Sequence, residues 1–378
     1  MNGPPPTGTD GWRERAHVFA EREISPHAAE IDREDRVPDP LLRSLRSSGF
    51  FGLGIPPEWG GSGGDTRSIV AVLEELARAS SAVAVLVAVH QSVCAAPILR
   101  WGTPEQKETF LRPLARGERI GAFGLTEPGA GSDTARIACR YVREGAEFVL
   151  HGTKMFTSNA VSAGTILVFA TSDPSLGAHG ISAFVVPPGT PGFSVAQRLD
   201  KLGLRGSETT ELVLDGVRLP AEALLGREGE GLHVALDALS GGRVGIASCA
   251  LGVARAAFEE MRRAVRVRDE EWKRPVLARA YTELSAARAL VERAAALKDA
   301  GAEYVEAASV AKLSASRAAF SIASSGVDVA APESMRAGSP SERLLRDARV
   351  FPIVEGTTEI QELILARWLL APERGPSS

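Results

Sequence analysis

The chain has 378 residues, 44% of them hydrophobic, and a formal net charge of -4. This length allows two or three domains around a sizeable core, and so small a charge gives no general attraction to nucleic acid or to an anionic membrane. Three cysteines and six histidines lack the spacing of a disulfide framework or a metal site. We therefore expect a reducing compartment, no disulfides and no bound metal.

The first residues, 1–11, are rich in glycine and proline and predict a disordered lead-in rather than a signal peptide or a transit helix. The last residues, 373–378, are predicted to form a tail. The longest apolar run, 81–89, is too short to cross a bilayer. These features predict a cytoplasmic protein without a membrane span.

Residues 12–118 have the apolar spacing of helices. The predicted helices are 12–33, 39–48, 66–79, 80–101 and 103–117. A loop rich in glycine and proline separates the second from the third, at 49–65. This part predicts an N-terminal helical domain.

Residues 119–222 change to short alternating runs bounded by Gly, Pro, Asp and Ser. The predicted strands are 120–126, 137–143, 147–157, 165–171, 180–186 and 210–219. Residues 223–372 are helical again. The predicted helices are 232–267 with a break near Gly241–Gly242, 275–298, 302–324, 340–349 and 358–370, with a loop at 325–339. The order predicts an α+β protein whose all-β domain lies between a helical domain and a C-terminal four-helix bundle.

One carboxylate near the C-terminus, Glu355, lies between an apolar run and Gly356. Apolar surroundings raise the pKa of a carboxylate and make it a better base near neutral pH. Thr357 or Thr358 can cap the helix that follows. The residues alone favour an ordinary N-terminal helix acid over a catalytic base, because the helix dipole stabilises a negative charge there.

The most specific motif is the Thr126–Asp133 run, Thr-Glu-Pro-Gly-Ala-Gly-Ser-Asp, which follows a predicted strand. Its backbone N–H groups and hydroxyls can face an anion or a heteroaromatic ring. With this motif the sequence resembles the acyl-CoA dehydrogenase family of flavoproteins. Four more motifs in family order extend the resemblance over about residues 12–371: 101–107, 152–159, 201–209 with 215–220, and 346–349 before Glu355.

The resemblance implies an N-terminal helical domain, a central β-barrel, a C-terminal four-helix bundle and bound FAD. It implies roles for these residues in holding the flavin: Phe123, Leu125, Thr126, Ser132, Phe156, Thr157, Ser158, Thr357, Glu359 and Arg268. It implies substrate contacts from Ser132, Arg243 and Gly356, and it makes Glu355 the catalytic base.

In the implied reaction Glu355 removes the proton α to a thioester carbonyl, and the β hydrogen passes to flavin N5 as hydride. The product is a trans-2-enoyl thioester, and an electron-transfer flavoprotein is the expected acceptor. The sequence does not decide whether the thioester is on coenzyme A or on an acyl carrier protein, nor the length and branching of the acyl chain. Small residues in 81–97 leave room for an acyl group or simply allow close helix packing.

The sequence departs from the family pattern at several positions. Val354 replaces a tyrosine, and Phe156 and Ser158 stand where the family often has Trp and Thr. In the loop that holds the far end of the cofactor from the neighbouring subunit, a glutamine and a glycine pair are replaced by Asp328, Ala331 and Pro332. The Arg-x-x-Phe-Gly segment is replaced by 266–273, where Arg268 remains.

These departures leave alternatives open. The protein is expected to be a homodimer or homotetramer, with a hetero-oligomer possible. A flavin oxidase or monooxygenase on the same scaffold and a flavin-poor partner subunit of a heteromeric dehydrogenase are the competing functions. The retained glutamate argues against the first, and the intact ring-binding motif argues against the second.

Overall fold

The computed structural model describes residues 5–371. Its N-terminal part consists of eight helices: α1 Gly8–Phe19, α2 Ala28–Glu34, α3 Asp39–Arg46, α4 Thr66–Ala79, α5 Ser81–Val89, α6 Ala96–Trp101, α7 Pro104–Gln106 and α8 Arg112–Ala115. Short π-helical and 3₁₀ segments join several of them, so the predicted runs are continuous but not α-helical throughout. Helix α1 begins at Gly8, so residues 8–11 are helical rather than part of a disordered lead-in. Residues 1–4 and the predicted tail at 373–378 lie outside the described residues.

The middle part is one mixed sheet of eight strands: β1 Ile120–Gly124, β2 Arg140–Glu144, β3 Glu147–Ser158, β4 Ala163–Thr171, β5 Ile181–Val186, β6 Phe193–Arg198, β7 Thr209–Pro220 and β8 Leu224–Leu225. The strand order is β6-β7-β3-β2-β4-β5-β8, and β1 pairs with β4 in parallel. The terminal strands β6 and β8 do not pair with each other within 5–371. The sheet is therefore open, and the expected closed barrel is wrong.

The sequence pattern identified six of these strands and missed β6 and β8. The side chains of β6 are exposed except for a half-buried Phe193, so no alternation of apolar and polar residues marks this edge strand. β8 has only two residues. Both strands were missed because they lie at the edges of the sheet, where strands are often short or exposed.

The C-terminal part holds five helices: α9 Gly231–Val267, α10 Lys273–Asp299, α11 Val305–Val329, α12 Pro340–Ala348 and α13 Thr358–Leu369. α9 runs without the predicted break at Gly241–Gly242, because both glycines are buried and packing outweighs their low helix propensity. α11 continues past the predicted end into the predicted loop and includes Gly326 and Asp328.

Two helical stretches, Ser81–Trp101 and α9, are long and apolar enough to cross a membrane by length and composition alone. In each, 83% of the most apolar window is buried inside the fold. Their apolar faces belong to the core that joins the N-terminal helices to α9, α10 and α11.

The three parts meet at Asp347, a fully buried carboxyl near the end of α12. It accepts hydrogen bonds from the Ser81 hydroxyl and from the backbone N–H of Leu204, the latter at 2.7 Å. Burial raises the pKa of Asp347, while these two hydrogen bonds oppose the rise. Two of the sequence motifs, 201–209 and 346–349, thus bind each other just before the chain reaches Glu355.

Candidate active site

Glu355 lies in a tight turn between α12 and α13. It has a positive φ of 54°, and Gly356 follows with a φ of 89°. The Thr357 hydroxyl accepts a hydrogen bond from the Ile360 N–H and caps α13. Glu355 therefore precedes the helix and its cap, so it is not a first-turn acid of α13, a position that Glu359 occupies.

The carboxylate of Glu355 is directed at α9. A Cβ atom added to Gly242 would lie 2.6 Å from Oε2 of Glu355 and 3.2 Å from Val93 Cγ1. Oε2 is buried and has no hydrogen-bond partner among residues 5–371. Gly242 thus forms a notch in α9 that accommodates an unpaired carboxylate oxygen.

Burial raises the pKa of Glu355 from 4.5 to about 7, and the positive charges of Arg243 and Lys312 oppose this rise. Loss of solvation therefore outweighs two neighbouring cations. A carboxylate with this pKa is half ionised near neutral pH, which is the range in which a general base works best.

Arg243, on α9, is 5% exposed, and its Nε has no hydrogen-bond partner within the described part of the chain. Burial lowers the pKa of its guanidinium, while Glu355 and Tyr304 favour the charged form. A buried guanidinium with a free N–H is suited to bind a carbonyl or amide oxygen of a ligand.

The second group of predicted site residues lies where β1 and β3 end. Phe123 packs edge-on against Phe169 at 5.0 Å between ring centres, and it also contacts the helical core that contains Val93 and Phe351. Leu125 is buried, and the carbonyl of Thr126 accepts a hydrogen bond from the Met155 N–H at 2.7 Å.

A buried ion pair holds this turn in place. The Lys154 ammonium donates to Glu127 Oε1 at 2.6 Å and to the Leu125 carbonyl at 3.2 Å. The same carboxylate accepts the backbone N–H groups of Ala138 and Cys139. Each charged group thus has the opposite charge and at least one backbone group as hydrogen-bond partners, which offset the cost of burying an ion pair.

Near the end of β3 an exposed aromatic side chain is followed by a residue whose hydroxyl is buried. A bulge in the pairing with β7 separates Lys154 from Thr157, and Phe156 there has a φ of 57° and is 63% exposed. The Thr157 Oγ1 is buried without a hydrogen-bond partner among the described residues. It lies 3.5 Å from the position of a Cβ on Gly124, the last residue of β1.

Three family models cover the chain in order. The N-terminal, middle and C-terminal domain models of acyl-CoA dehydrogenase match residues 9–118, 122–217 and 229–370. The chain belongs to the acyl-CoA dehydrogenase family.

The short-chain specific acyl-CoA dehydrogenase of Clostridium acetobutylicum is 39% identical over 365 residues, which cover 94% of this chain and 96% of that protein. The butyryl-CoA dehydrogenase structure from Megasphaera elsdenii matches with a TM-score of 0.94 at 36% identity, covering 98% of this chain and all of that one.

Two further solved structures are similar to this chain. A chain from a study of the electron transferring flavoprotein of Acidaminococcus fermentans matches with a TM-score of 0.95 at 36% identity, covering 98% of this chain and 100% of that chain. The prolyl acyl carrier protein oxidase AnaB matches with a TM-score of 0.92 at 27% identity, covering 96% and 99%.

Acyl-CoA dehydrogenases are flavoproteins, generally dependent on FAD. The strand ends of this family member fit an isoalloxazine ring: the exposed Phe156 offers an aromatic face, and the hydroxyl groups of Ser132 and Ser158 belong to residues that keep accessible surface. Ser132 is exposed in the adjoining glycine-rich turn, and Ser158 is half-buried at the end of β3. The residues present therefore suit the cofactor.

Arg268 lies far from the other predicted site residues of the same chain. It follows the end of α9, is exposed and pairs with Glu270. At 1.5 Å per residue, α9 separates Arg243 from Val267 by about 36 Å. Asp328, Ala331 and Pro332 are likewise exposed at the far end of α11. Within one chain these residues cannot contribute to the site around Glu355.

The sequence motifs gave no role to Gly242, Lys312 and the Lys154–Glu127 pair. For Lys312 a signal was present: Ala308, Lys312, Ala315 and Ala319 follow helical spacing, so this lysine lies on the buried face of an alanine-rich helix. For Gly242 no signal was available, because a glycine pair in a long helix usually indicates a break.

Proposed function

We propose that this protein oxidises the Cα–Cβ bond of an acyl thioester to the trans-2-enoyl thioester with FAD as its cofactor. The observation that carries the proposal is the buried, unpaired carboxylate oxygen Oε2 of Glu355, a group whose pKa burial raises to about 7. Removal of a proton α to a thioester carbonyl needs such a base in a water-poor site. Family membership and the fit of the strand ends to a flavin ring supply the context.

In this function Glu355 takes the α proton, and its turn sets the direction of attack. The backbone N–H of Glu355 polarises the thioester carbonyl, as donors of an oxyanion hole do. Arg243 binds the arm of the thioester, and Gly356 contacts the acyl group. When bound, the flavin supplies the acceptor for the β hydride. The chain's part is to hold the thioester, exclude water and keep the base ionisable.

We assign the ring of the cofactor to the ends of β1 and β3 and the glycine-rich turn after β1. The residues that would hold it are Phe123, Leu125, Thr126, Ser132, Phe156, Thr157 and Ser158. Thr357 and Glu359, at the start of α13, would contact the dinucleotide. Arg268, which is far from Glu355, would act on the cofactor of a neighbouring subunit in a homo-oligomer.

The favoured substrate is a short-chain thioester of coenzyme A. The relatives at 39% and 36% identity are a short-chain specific acyl-CoA dehydrogenase and a butyryl-CoA dehydrogenase, whereas the acyl carrier protein enzyme matches at 27%. The match to a chain from an electron transferring flavoprotein study supports such a protein as electron acceptor.

The test uses Glu355→Gln, with Glu362→Gln as the control that removes an exposed carboxylate from α13. Glu355→Gln should bind flavin as the parent does and should lose flavin reduction by butyryl-CoA by at least ~100-fold, the usual contribution of a general base. Anaerobic flavin bleaching measures the rate. Full-rate reduction by this variant would remove Glu355 from the reaction.

Two other functions have specific support. The similarity to the oxidase AnaB supports an oxidase, in which oxygen alone reoxidises the flavin. The exposed Asp328, Ala331 and Pro332, where the family holds the far end of the cofactor, support a flavin-poor subunit. Oxygen uptake without another acceptor would indicate the oxidase. One FAD per subunit in a purified homo-oligomer would exclude the flavin-poor subunit.

A further inference from the structure

Lys312, in the middle of α11, is a charged side chain at 0% exposure. It lies on the helix face of Ala308 and Ala315, where small apolar residues would be expected to continue. A buried lysine is rare, and it lowers the stability of the fold unless its charge is paired or hydrogen-bonded. Its position is therefore a feature that the packing of α11 does not explain.

The ammonium of Lys312 is directed at the turn that carries Glu355. Its Nζ donates a hydrogen bond of 2.7 Å to the carbonyl oxygen of Gly356. Among residues 5–371 this is its one hydrogen bond, so α11 is tied to the residue next to the proposed base.

That turn needs support from outside itself. Glu355 has φ 54°, a left-handed conformation that is unfavourable for a residue with a Cβ. The Gln361 side chain donates to the carbonyls of Glu355 and Gly356 at 3.3 and 3.1 Å. Lys312 and Gln361 thus hold the same carbonyl of Gly356 from two helices, α11 and α13.

The charge of Lys312 also acts on the carboxylate. Glu355 is faced by Arg243 and by the buried thiol of Cys249 from α9, and by Lys312 from α11. Lys312 is faced in turn by Glu359 and Arg243, and burial lowers the pKa of Lys312 to about 8. The ammonium is still charged at neutral pH and favours the ionised form of Glu355.

We propose that Lys312 is a positioning residue for the reaction: it fixes the Glu355–Gly356 turn against α9 and keeps a positive charge beside the base. The inference rests on the proposed function of Glu355. A hydrogen bond alone would make Lys312 a structural support, whereas its charge gives it an effect on the pH at which Glu355 accepts a proton. The two effects can be measured separately.

The experiment compares Lys312→Met, which removes donor and charge, with Lys312→Gln, which keeps an N–H donor without the charge. Both should shift the acidic limb of the pH profile for flavin reduction upward by about one unit, because an opposite charge that favoured the carboxylate is gone. Lys312→Gln should recover part of the maximal rate at high pH. Lys298→Met, another lysine whose pKa is lowered by burial but which does not face Glu355, should leave the limb in place.

A second measurement needs no turnover. The carboxyl band of Glu355, identified by infrared difference against Glu355→Gln, should titrate at higher pH in the Lys312 variants than in the parent. This measurement separates the inference from the proposed function. If no acyl thioester reduces the flavin of the parent protein, the proposed function is contradicted, yet the carboxyl band still reports the effect of Lys312 on Glu355. An unchanged band and an unchanged acidic limb in folded, flavin-containing Lys312→Gln and Lys312→Met would overturn the inference.

Discussion

At the scale of the residue, the site is built at the expense of stability. The Oε2 of Glu355 and the Nε of Arg243 are buried without hydrogen-bond partners in the described chain. Each such group costs about 1–3 kcal/mol, which a ligand that supplies the missing partner recovers. Unsatisfied groups of this kind concentrate at functional sites, because the folded chain must keep them ready.

The pH dependence of stability follows from Glu355. Below pH 4.5 its carboxyl is protonated in folded and unfolded chains. Between pH 4.5 and about 7 the unfolded chain releases a proton that the folded chain keeps, so stability falls, and above that range the loss is constant. Glu355→Gln has no titrating carboxyl at this position and does not lose stability in this way. Between pH 4.5 and about 7 its free energy of unfolding, relative to that of the parent, should therefore rise by about 3 kcal/mol.

Thermal or urea unfolding of the flavin-free proteins from pH 4 to pH 9 measures this difference, with pH as the only variable. Glu362→Gln should not reproduce the trend, because Glu362 is exposed on α13. A flat difference between Glu355→Gln and the parent would show that the carboxyl of Glu355 is solvated in solution.

At the scale of the element, α9 shapes the site through residues that have no side chain. A Cβ on Gly242 would lie 2.6 Å from Glu355 Oε2, closer than any real contact, whereas a Cβ on Gly245 would meet Leu73, Ala88 and Ser92 at ordinary distances of 3.6–3.8 Å. The two glycines lie one turn apart on the same buried helix. They therefore form a matched pair for substitution.

Gly242→Ala should displace the carboxylate and lower the rate of flavin reduction by about 100-fold, the contribution expected of a well-placed base. Gly245→Ala should keep the rate, and it should gain up to about 1 kcal/mol because alanine favours a helix. Flavin bleaching and unfolding midpoints of both variants give the answer. Equal rates for the two would mean that the notch at Gly242 does not hold the base.

The same helix shows where sequence reasoning ends at this scale. The long helices and the alternating strands were predictable, since apolar periodicity reports burial on one face. The continuity of α9 through Gly241–Gly242 was not predictable, because it depends on the packing of Val93 and of the turn that carries Glu355 against Gly242. The edge strand β6 was missed for the opposite reason, since its exposed side chains carry no periodic signal.

At the scale of the whole molecule, the candidate site draws on all three domains. The sequence motifs gave the correct family, yet spacing alone could not show that Asp347 joins the domains or that Lys312 reaches Gly356. Those contacts join residues far apart in the chain. Nor could the motifs place Arg268, which α9 carries about 36 Å away from Arg243.

The outer face of α13 bears directly on assembly. Leu363, Trp368 and Leu369 are all more than half exposed. Leu365 of the same helix lines a groove together with Ala286 of α10 and with Val310 and Leu313 of α11. Exposed apolar side chains grouped on one helix are typical of an interface between subunits. We therefore expect a homo-oligomer in which this face is covered.

Trp368→Asp should weaken that assembly, because a carboxylate would have to be buried in an apolar interface. Light scattering coupled to size exclusion should show a dimer or tetramer for the parent and a smaller species for the variant. Leu176→Asp is the control: Leu176 has nearly the same exposure, 52% against 53%, but lies in a turn of the middle domain. An unchanged mass for Trp368→Asp, or a monomeric parent, would contradict the expectation. Loss of flavin from the smaller species as well would support a role for the distant Arg268 and the loop around Asp328 across the subunit interface.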